Sequence, residues 1–370
     1  MNKRIAILTS SRADFGIYLP LLNRLKVDKN FDLKLIVFGT HLSLENGYTV
    51  DEIIKEGFNP DYKIFVKQNR NDVFGIADNY ADYTKLFAEF WELNGKNFDL
   101  VFALGDRYEM AAAVMAGIPF GIKFAHLHAG ETTLGAIDNT YRHCITLASS
   151  ICFTSTEIYK ERVAQLVENT VPIYNVGALS LDDLEALELP SKETLANQFN
   201  LDFSKPLIMV VFHPETIHPE KNKRYIHELL KAIENLSEYS FAINLPNTDT
   251  NSDDIRTAIL EFKASQTNNK SIAVVEHFGK RNYFACLKYA SLLIGNSSSG
   301  IIEAASFNKY VLNIGDRQKG RAKGENIVDC EADSIKIVSF SRELLSFDLF
   351  KGQNIYKNNV SSSELIQKTI

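Results

Sequence analysis

Several polar clusters stand just where short apolar runs end, and their residue types are those that bind anions or move protons. The clearest is Gly295-Asn296-Ser297-Ser298-Ser299-Gly300, with Glu303 shortly after. It follows an apolar run and opens a helix-compatible segment. Free backbone N–H groups at a helix start, among small residues, make an anion site. Serine hydroxyls add donors without blocking close approach. Glu303 lies one turn beyond Ser299 on the same face, where a carboxylate repels phosphate but accepts from ribose hydroxyls. The plainer reading is a serine cap on a buried helix, but three serines between two glycines exceed what a cap needs.

A second cluster, Thr9-Ser10-Ser11-Arg12-Ala13-Asp14-Phe15-Gly16, also joins an apolar run to a helix. It lacks the GxGxxG of dinucleotide-binding dehydrogenases. Arg12 can clamp a diphosphate through paired hydrogen bonds. Asp14 can cap the helix or orient Arg12. In Gly105-Asp106-Arg107-Tyr108-Glu109, Asp106 is placed for acid–base work. With Glu109 three residues on, it also reads as a capping box.

The densest cluster runs from His126 to His143. It holds His126, His128 and His143, the carboxylates Glu131 and Asp138, and Arg142. Such crowding at a strand end is how sites shift pKa values, so Glu131, Asp138, His128 and Arg142 are catalytic candidates. The alternative for Asp138 and Arg142, four apart on a helix, is a surface ion pair. Of the two strand-end histidines, one is expected buried and one exposed to the site. Further along, His213 in Phe212-His213-Pro214-Glu215-Thr216 is placed to reach a phosphate. Asn247, within Asn244 to Asp249, offers an amide. Arg317 and Arg321 lie in a glycine-bounded basic loop, and Phe278 offers an aromatic face to a base. A solvated turn is the alternative for the segments of His213, Asn247 and the two arginines.

Apolar runs at Arg4–Thr9, Leu33–Phe38, Leu100–Leu104, Ile122–His126 and Ile151–Phe153 alternate with helical patterns near 17–25, 72–93, 108–116 and 137–147. Continuous apolar strands separated by helices indicate a parallel sheet covered on both faces. The pattern breaks in a polar, acidic stretch near 180–203, read as a linker. It restarts with strands at 206–212, 240–244, 271–275, 291–294 and 310–313 and helices between them. The expected fold is therefore α/β, with two Rossmann-like doubly wound domains: 1–180 with the catalytic carboxylates and 200–352 with the nucleotide site. The tail, 353–370, carries a helix expected to pack back on the first domain. In such sheets ligands bind outside the carboxyl ends of the strands, so two domains facing across a cleft would hold the site between them.

At 370 residues the chain is long enough for two cores. Its 45% hydrophobic and 23% charged content is ordinary for a globular protein. A net charge of −6 with no basic stripe argues against nucleic acid. No run reaches the ~18 apolar residues a membrane helix needs, and the apolar stretch from Ile5 to Leu8 is too short for a signal-peptide core. Four scattered cysteines without a CxxC pair suit a reducing cytoplasm and argue against a metal site.

Taken in order from residue 11 to 318, the motifs resemble the hydrolysing UDP-N-acetylglucosamine 2-epimerases of sialic-acid biosynthesis. The matching residues are Ser11 to Gly16, Gly105 to Glu109, His126 to Glu131, Ala136 to Asp138 with Arg142-His143, Phe212 to Pro214, Gly295 to Gly300 with Glu303, and Asn313 to Gln318. The resemblance implies a GT-B-like fold, no metal or redox cofactor, a UDP-sugar substrate and a homodimer or homotetramer. It implies elimination of UDP to a 2-acetamidoglucal, then hydration with inversion at C2, giving UDP and N-acetylmannosamine. Because the C2 proton is poorly acidic, cleavage must build positive charge at C1 and negative charge on the departing diphosphate. The serine turn, His213 and Arg12 suit the second charge, and Asp106, Glu131 and Asp138 the first together with the proton transfers. Asp106 or Glu131 is the expected base for C2.

The related non-hydrolysing epimerases carry a glutamate in the loop where this chain has His128, which favours the hydrolysing branch. The alternatives are the same reaction on a UDP-linked 2,4-diacetamido-trideoxy sugar, a non-hydrolysing epimerase, a GT-B glycosyltransferase, and a nucleotide-sugar sensor without catalysis.

Overall fold

In the computed structural model the apolar runs form parallel strands whose middles are almost wholly buried, as a sheet covered on both faces requires. The structure describes every residue except 1, 45–46, 68–69, 71, 183, 185–186, 247–251 and 267–270. The chain divides into two compact units. Residues 1–131, 137–183 and 356–370 make the first, and residues 132–136 and 184–355 the second.

Among the described residues, the first unit has a seven-stranded sheet: β1 Lys3–Thr9, β2 Phe31–Phe38, β3 Tyr62–Ile64, β4 Leu100–Leu104, β5 Phe124–Leu127, β6 Ile151–Thr154 and β7 Ile173–Asn175. Their order is β3-β2-β1-β4-β5-β6-β7, all parallel. The second unit has a six-stranded sheet: β8 Leu207–Val211, β9 Ser240–Asn244, β10 Ile272–Val275, β11 Leu292–Gly295, β12 Val311–Ile314 and β13 Ile327–Cys330. Their order is β10-β9-β8-β11-β12-β13, again all parallel.

Each sheet reverses its winding once, between β1 and β4 in the first unit and between β8 and β11 in the second. Open α/β sheets take ligands outside the carboxyl ends at such a switch point. Apolar side chains of helix Arg12–Val27 (Phe15, Tyr18, Leu21, Leu22, Leu25) cover one face of the first sheet, joined by Ile366 of helix Ser362–Thr369. Tyr83, Phe87 and Trp91 of helix Val73–Asn94 and the alanines of helix Tyr108–Gly117 cover the other. The Trp91 indole N–H donates to the Ala113 carbonyl at 2.9 Å, so the one polar atom of that ring is satisfied in the core.

The stretch read as a linker holds helix Lys192–Phe199, whose first turn is capped by the Ser191 hydroxyl and whose Leu195 is buried. The strand read as 122–126 runs Phe124–Leu127 instead. Residues Ile118–Phe120 form a 3₁₀ turn closed by Gly121 in the left-handed conformation, which delays the strand. His126 therefore lies inside β5 and His128 beyond it. No helix among the described residues is long and apolar enough to cross a membrane.

Candidate active site

At the switch point of the first unit, Asp106 follows β4 after Gly105, whose φ of +78° lets the chain turn sharply. Helix Tyr108–Gly117 starts with Arg107 as its cap residue, and no side chain caps it. The capping-box reading of Asp106 and Glu109 is thus overturned: Asp106 stands one residue too early, and buried Glu109 instead pairs with Arg107 at 2.5 Å. The Asp106 carboxylate pairs with the guanidinium of Arg142.

Arg142 comes from helix Asp138–Leu147 and is 3% exposed. One of its terminal nitrogens meets Asp106. The other donates to the His128 carbonyl at 3.0 Å and lies 3.8 Å from Glu131. The surface pair once open to Asp138 and Arg142 is replaced by this inward arrangement. Asp138 is half-buried in the first turn of that helix.

Glu131 is 2% exposed, and its Oε1 accepts from His128 Nδ1 and from Ser155 Oγ, both at 2.7 Å. His128 has φ +61°, a left-handed conformation uncommon outside glycine. Its neighbours hold it there: Ala129 N–H bonds to the Phe153 carbonyl at 3.1 Å, and a Cβ on Gly130 would strike Val163 at 2.5 Å. The buried Nε2 of His128 has no hydrogen-bond partner among the described residues.

His126 is fully buried on β5. Its Nε2 donates to the Gly105 carbonyl at 2.8 Å, and burial pushes its pKa down to about 3, so the ring is neutral. The division between the two histidines follows from the strand's end: His126 is interior, and His128 belongs to the polar cluster.

The helix read as starting near 17 begins at Arg12. Ser11 caps it, and Asp14 closes the capping box on the backbone of Ser11. Asp14 also accepts from Thr9 Oγ1 at 2.7 Å and from both the N–H and Oγ of Ser10. Burial alone would raise its carboxyl. The nearby His41 ring and these donors outweigh that and hold it below its ordinary value. Asp14 is therefore committed to the turn after β1. Arg12 stands 3.8 Å from Glu52.

In the second unit, β8 and β11 lie side by side with Val211 opposite Gly295. A Cβ on Gly295 would come within 1.9 Å of the Val211 carbonyl oxygen, and its φ is +142°, so only glycine fits. Asn296 then joins the two strand ends. Its Oδ1 accepts from the His213 N–H at 2.7 Å, and its Nδ2 donates to the His213 carbonyl at 2.9 Å. The Asn296 carbonyl accepts from Gln318 Nε2 at 2.8 Å and Arg317 Nη1 at 3.2 Å. Arg317 Nε reaches the Pro214 carbonyl at 3.3 Å.

Ser297 caps helix Ser298–Ile302, accepting from Ser299 N–H at 3.2 Å, and the Ser299 hydroxyl donates to Glu303. The capping reading thus holds for Ser297. Two have internal partners and Ser298 sits between them. Gly300 packs over Leu293 and Val311, close enough that a Cβ would lie 3.0 Å from the former.

The loop after β12 is held by Glu215, which is 1% exposed and accepts from Asp316 N–H at 2.8 Å. Residues 132–136 belong to this unit: Leu134 N–H bonds to the Lys319 carbonyl at 3.0 Å, and Thr216 N–H to the Gly135 carbonyl at 3.3 Å. Arg321 is buried, its N–H bonded to the Gln318 carbonyl at 3.2 Å.

Phe278 is a correction. The ring is 3% exposed and lies edge-to-face on Phe199, centroids 4.8 Å apart, inside the core, so it presents no face to a base. Asn247 lies outside the described residues. The first unit thus assembles Asp106, His128, Glu131 and Arg142. The second assembles His213, Ser297, Ser298, Ser299, Glu303 and Arg317. Sequence reasoning passed over Ser155 and Asn296. Ser155 directly follows β6, so the strand-end rule applied elsewhere would have found it.

A sequence model described as UDP-N-acetylglucosamine 2-epimerase matches residues 23–369. The chain is 35% identical over 337 residues to the Polysialic acid biosynthesis protein P7 of Escherichia coli, covering 91% of this chain and 84% of that protein. It is 33% identical over 336 residues to the GDP/UDP-N,N'-diacetylbacillosamine 2-epimerase (hydrolyzing) of Campylobacter jejuni, covering 90% and 86%. A hydrolysing UDP-N,N'-diacetylbacillosamine 2-epimerase from Legionella pneumophila is 31% identical, covering 100% and 97%. Among solved structures, the UDP-GlcNAc 2-epimerase of Neisseria meningitidis, bound to UDP-GlcNAc, superposes with a TM-score of 0.80 at 18% identity, covering 99% of each chain. Such neighbours share the fold of two Rossmann-like domains, the GT-B-like arrangement of sheets and helices. The chain is an enzyme that belongs to the UDP-N-acetylglucosamine 2-epimerase family, among its hydrolysing UDP-sugar members.

Proposed function

We propose that this chain converts UDP-N-acetylglucosamine and water to UDP and N-acetylmannosamine, for sialic-acid-type nonulosonate synthesis. The observation that carries the reading is the buried cluster around Arg142. It gathers a carboxylate pair and a histidine at one switch point, which is what an elimination followed by a hydration needs. The 35% identity to a polysialic acid biosynthesis protein supports the choice of sugar.

The chemistry divides between the units. In the second, the turn from Gly295 to Gly300, with His213, takes the diphosphate, and Glu303 the ribose hydroxyls. Donors preorganised there stabilise the charge of the departing UDP. In the first, the anions of Asp106 and Glu131 offset positive charge developing at C1, and the cluster with His128 and Asp138 handles the protons. Arg142 offers one positive charge to both carboxylates in one small volume. Asp14 serves by ordering the turn that carries Arg12. The free cysteines suit a cytoplasmic enzyme, and exposed Val73 and Phe74 at the start of helix Val73–Asn94 suit a homodimer or homotetramer.

Incubation with UDP-N-acetylglucosamine in D₂O tests the reading. It predicts free UDP and N-acetylmannosamine carrying deuterium at C2. Unchanged substrate would overturn the sugar assignment, and the UDP-linked 2,4-diacetamido-trideoxy sugar is then the substrate to try. UDP-N-acetylmannosamine as product would make the enzyme non-hydrolysing.

A further inference from the structure

Most ionisable groups at the carboxyl end of the first sheet are committed to protein partners. Asp106 is paired with Arg142. Glu131 accepts two hydrogen bonds on one oxygen and faces Arg142 with the other. Both carboxylates are thus engaged within the cluster. His126 has one nitrogen on the Gly105 carbonyl and the other against Thr146 Oγ1 at 3.0 Å. Asp138 lies half-buried in the first turn of its helix.

His128 differs from all of these. Nδ1 donates to Glu131, which leaves Nε2 with its lone pair. That nitrogen is buried without a partner among the described residues, on a side chain 9% exposed. Buried polar atoms are nearly always satisfied, and non-glycine residues seldom hold a left-handed backbone. The chain keeps both costly features at this one residue. A carboxylate on the far nitrogen of an imidazole fixes its tautomer and steadies the imidazolium that forms when it takes a proton.

We propose that His128 Nε2 is the base that removes the C2 proton, and that Glu131 is its positioning residue and not the base. The assignment rests on the epimerase reading above. The Nε2 lone pair takes the proton, and the C2–H electron pair becomes the C1–C2 double bond. The C1–O bond breaks with its electrons leaving on the diphosphate of UDP. The ring is then an imidazolium, compensated by Glu131. Charged and titratable groups facing His128 are Glu131 in its own loop, Arg142 with Asp106 behind it, His126 on β5, and Arg162, which donates to the Gly130 carbonyl at 3.1 Å.

The experiment follows UDP release from UDP-N-acetylglucosamine, and from the diacetamido sugar, against pH in wild type, His128→Asn and Glu131→Gln. Asparagine is chosen because it tolerates the left-handed backbone. Wild-type kcat/KM should rise with pH along a basic limb. His128→Asn should lose the limb and about 10²–10⁴-fold in rate. Glu131→Gln should lose only about 10–100-fold and keep the limb. The Glu131→Gln profile decides even if His128→Asn fails to fold. A limb that vanishes there, or His128→Asn within tenfold of wild type, overturns the assignment and leaves the epimerase reading standing. Wild type that releases UDP from neither sugar overturns the epimerase reading itself, and the base assignment with it.

Discussion

Arg142, on the helix after β5, pairs through its guanidinium with Asp106, the second residue beyond β4. The same guanidinium donates to the His128 carbonyl and faces Glu131 at 3.8 Å. Two carboxylates thus draw on this one guanidinium, one of them 2% exposed. Arg142→Met keeps the volume and removes the charge. Breaking a fully buried pair costs about 3–5 kcal/mol. The Asp106 side chain is 25% exposed, so a loss of roughly 2–4 kcal/mol is expected, together with loss of turnover. Denaturant unfolding of both proteins measures it, and a change below about 0.5 kcal/mol would remove Arg142 from the centre of the cluster.

Asp106→Asn preserves shape and withdraws one of the two anions. If that anion offsets charge at C1, kcat should fall by about 10²–10⁴-fold. Affinity for UDP, which the serine turn and His213 are proposed to set, should change less than threefold. Steady-state turnover and calorimetric UDP titration separate the two effects. Near-normal kcat would take Asp106 out of the chemistry.

The sequence reading found these residues because the strands that precede them are continuous apolar runs, and strand ends are where such folds place function. Asp106, His128, His213 and the serine turn were all legible in that way. What stayed hidden has physical causes. The edge strands β3, β7 and β13 are three or four residues long and largely unburied, so they lack an apolar signal. Arg142 looked like half of an i,i+4 surface pair with Asp138, since spacing along a helix says nothing about a partner on another strand. Phe278 looked like a ligand face, although nothing in its spacing distinguishes a core aromatic from an exposed one. Asn296 was hidden inside its own motif: its amide serves the backbone of His213, a contact between positions 83 residues apart.

That contact makes a second-unit prediction. Asn296→Ala strands the N–H and carbonyl of His213, both buried, at a cost of about 1–3 kcal/mol. The Asn296 carbonyl keeps its bonds to Gln318 and Arg317, but the turn loses its side-chain tie to His213. UDP affinity should drop at least tenfold, and His213→Ala should weaken UDP similarly without loss of stability. Calorimetric titration with UDP alone reads both. Unchanged affinity in Asn296→Ala would mean that the ordering of the turn does not control diphosphate binding.

His126 gives a pH dependence of stability. Its folded pKa, about 3, lies below the ordinary 6.5 because the ring is buried. In the unfolded chain it takes up a proton as pH falls below 6.5, while the native ring stays neutral. The stability it contributes is therefore complete above pH 6.5 and drains away as pH falls toward 3, at up to about 1.4 kcal/mol per pH unit. His126→Asn cannot titrate. Whatever it costs at pH 7 through the lost bond to Gly105, its stability should fall less than that of wild type between pH 7 and pH 4.5. The expected difference is roughly 2–3 kcal/mol. Most carboxylates remain ionised across that window and the other histidines are common to both proteins, so denaturant midpoints at the two pH values isolate this ring. Equal losses in the two proteins would mean that the native ring takes up its proton as readily as the unfolded one. In that case His126 would not hold the Gly105 carbonyl as a neutral donor.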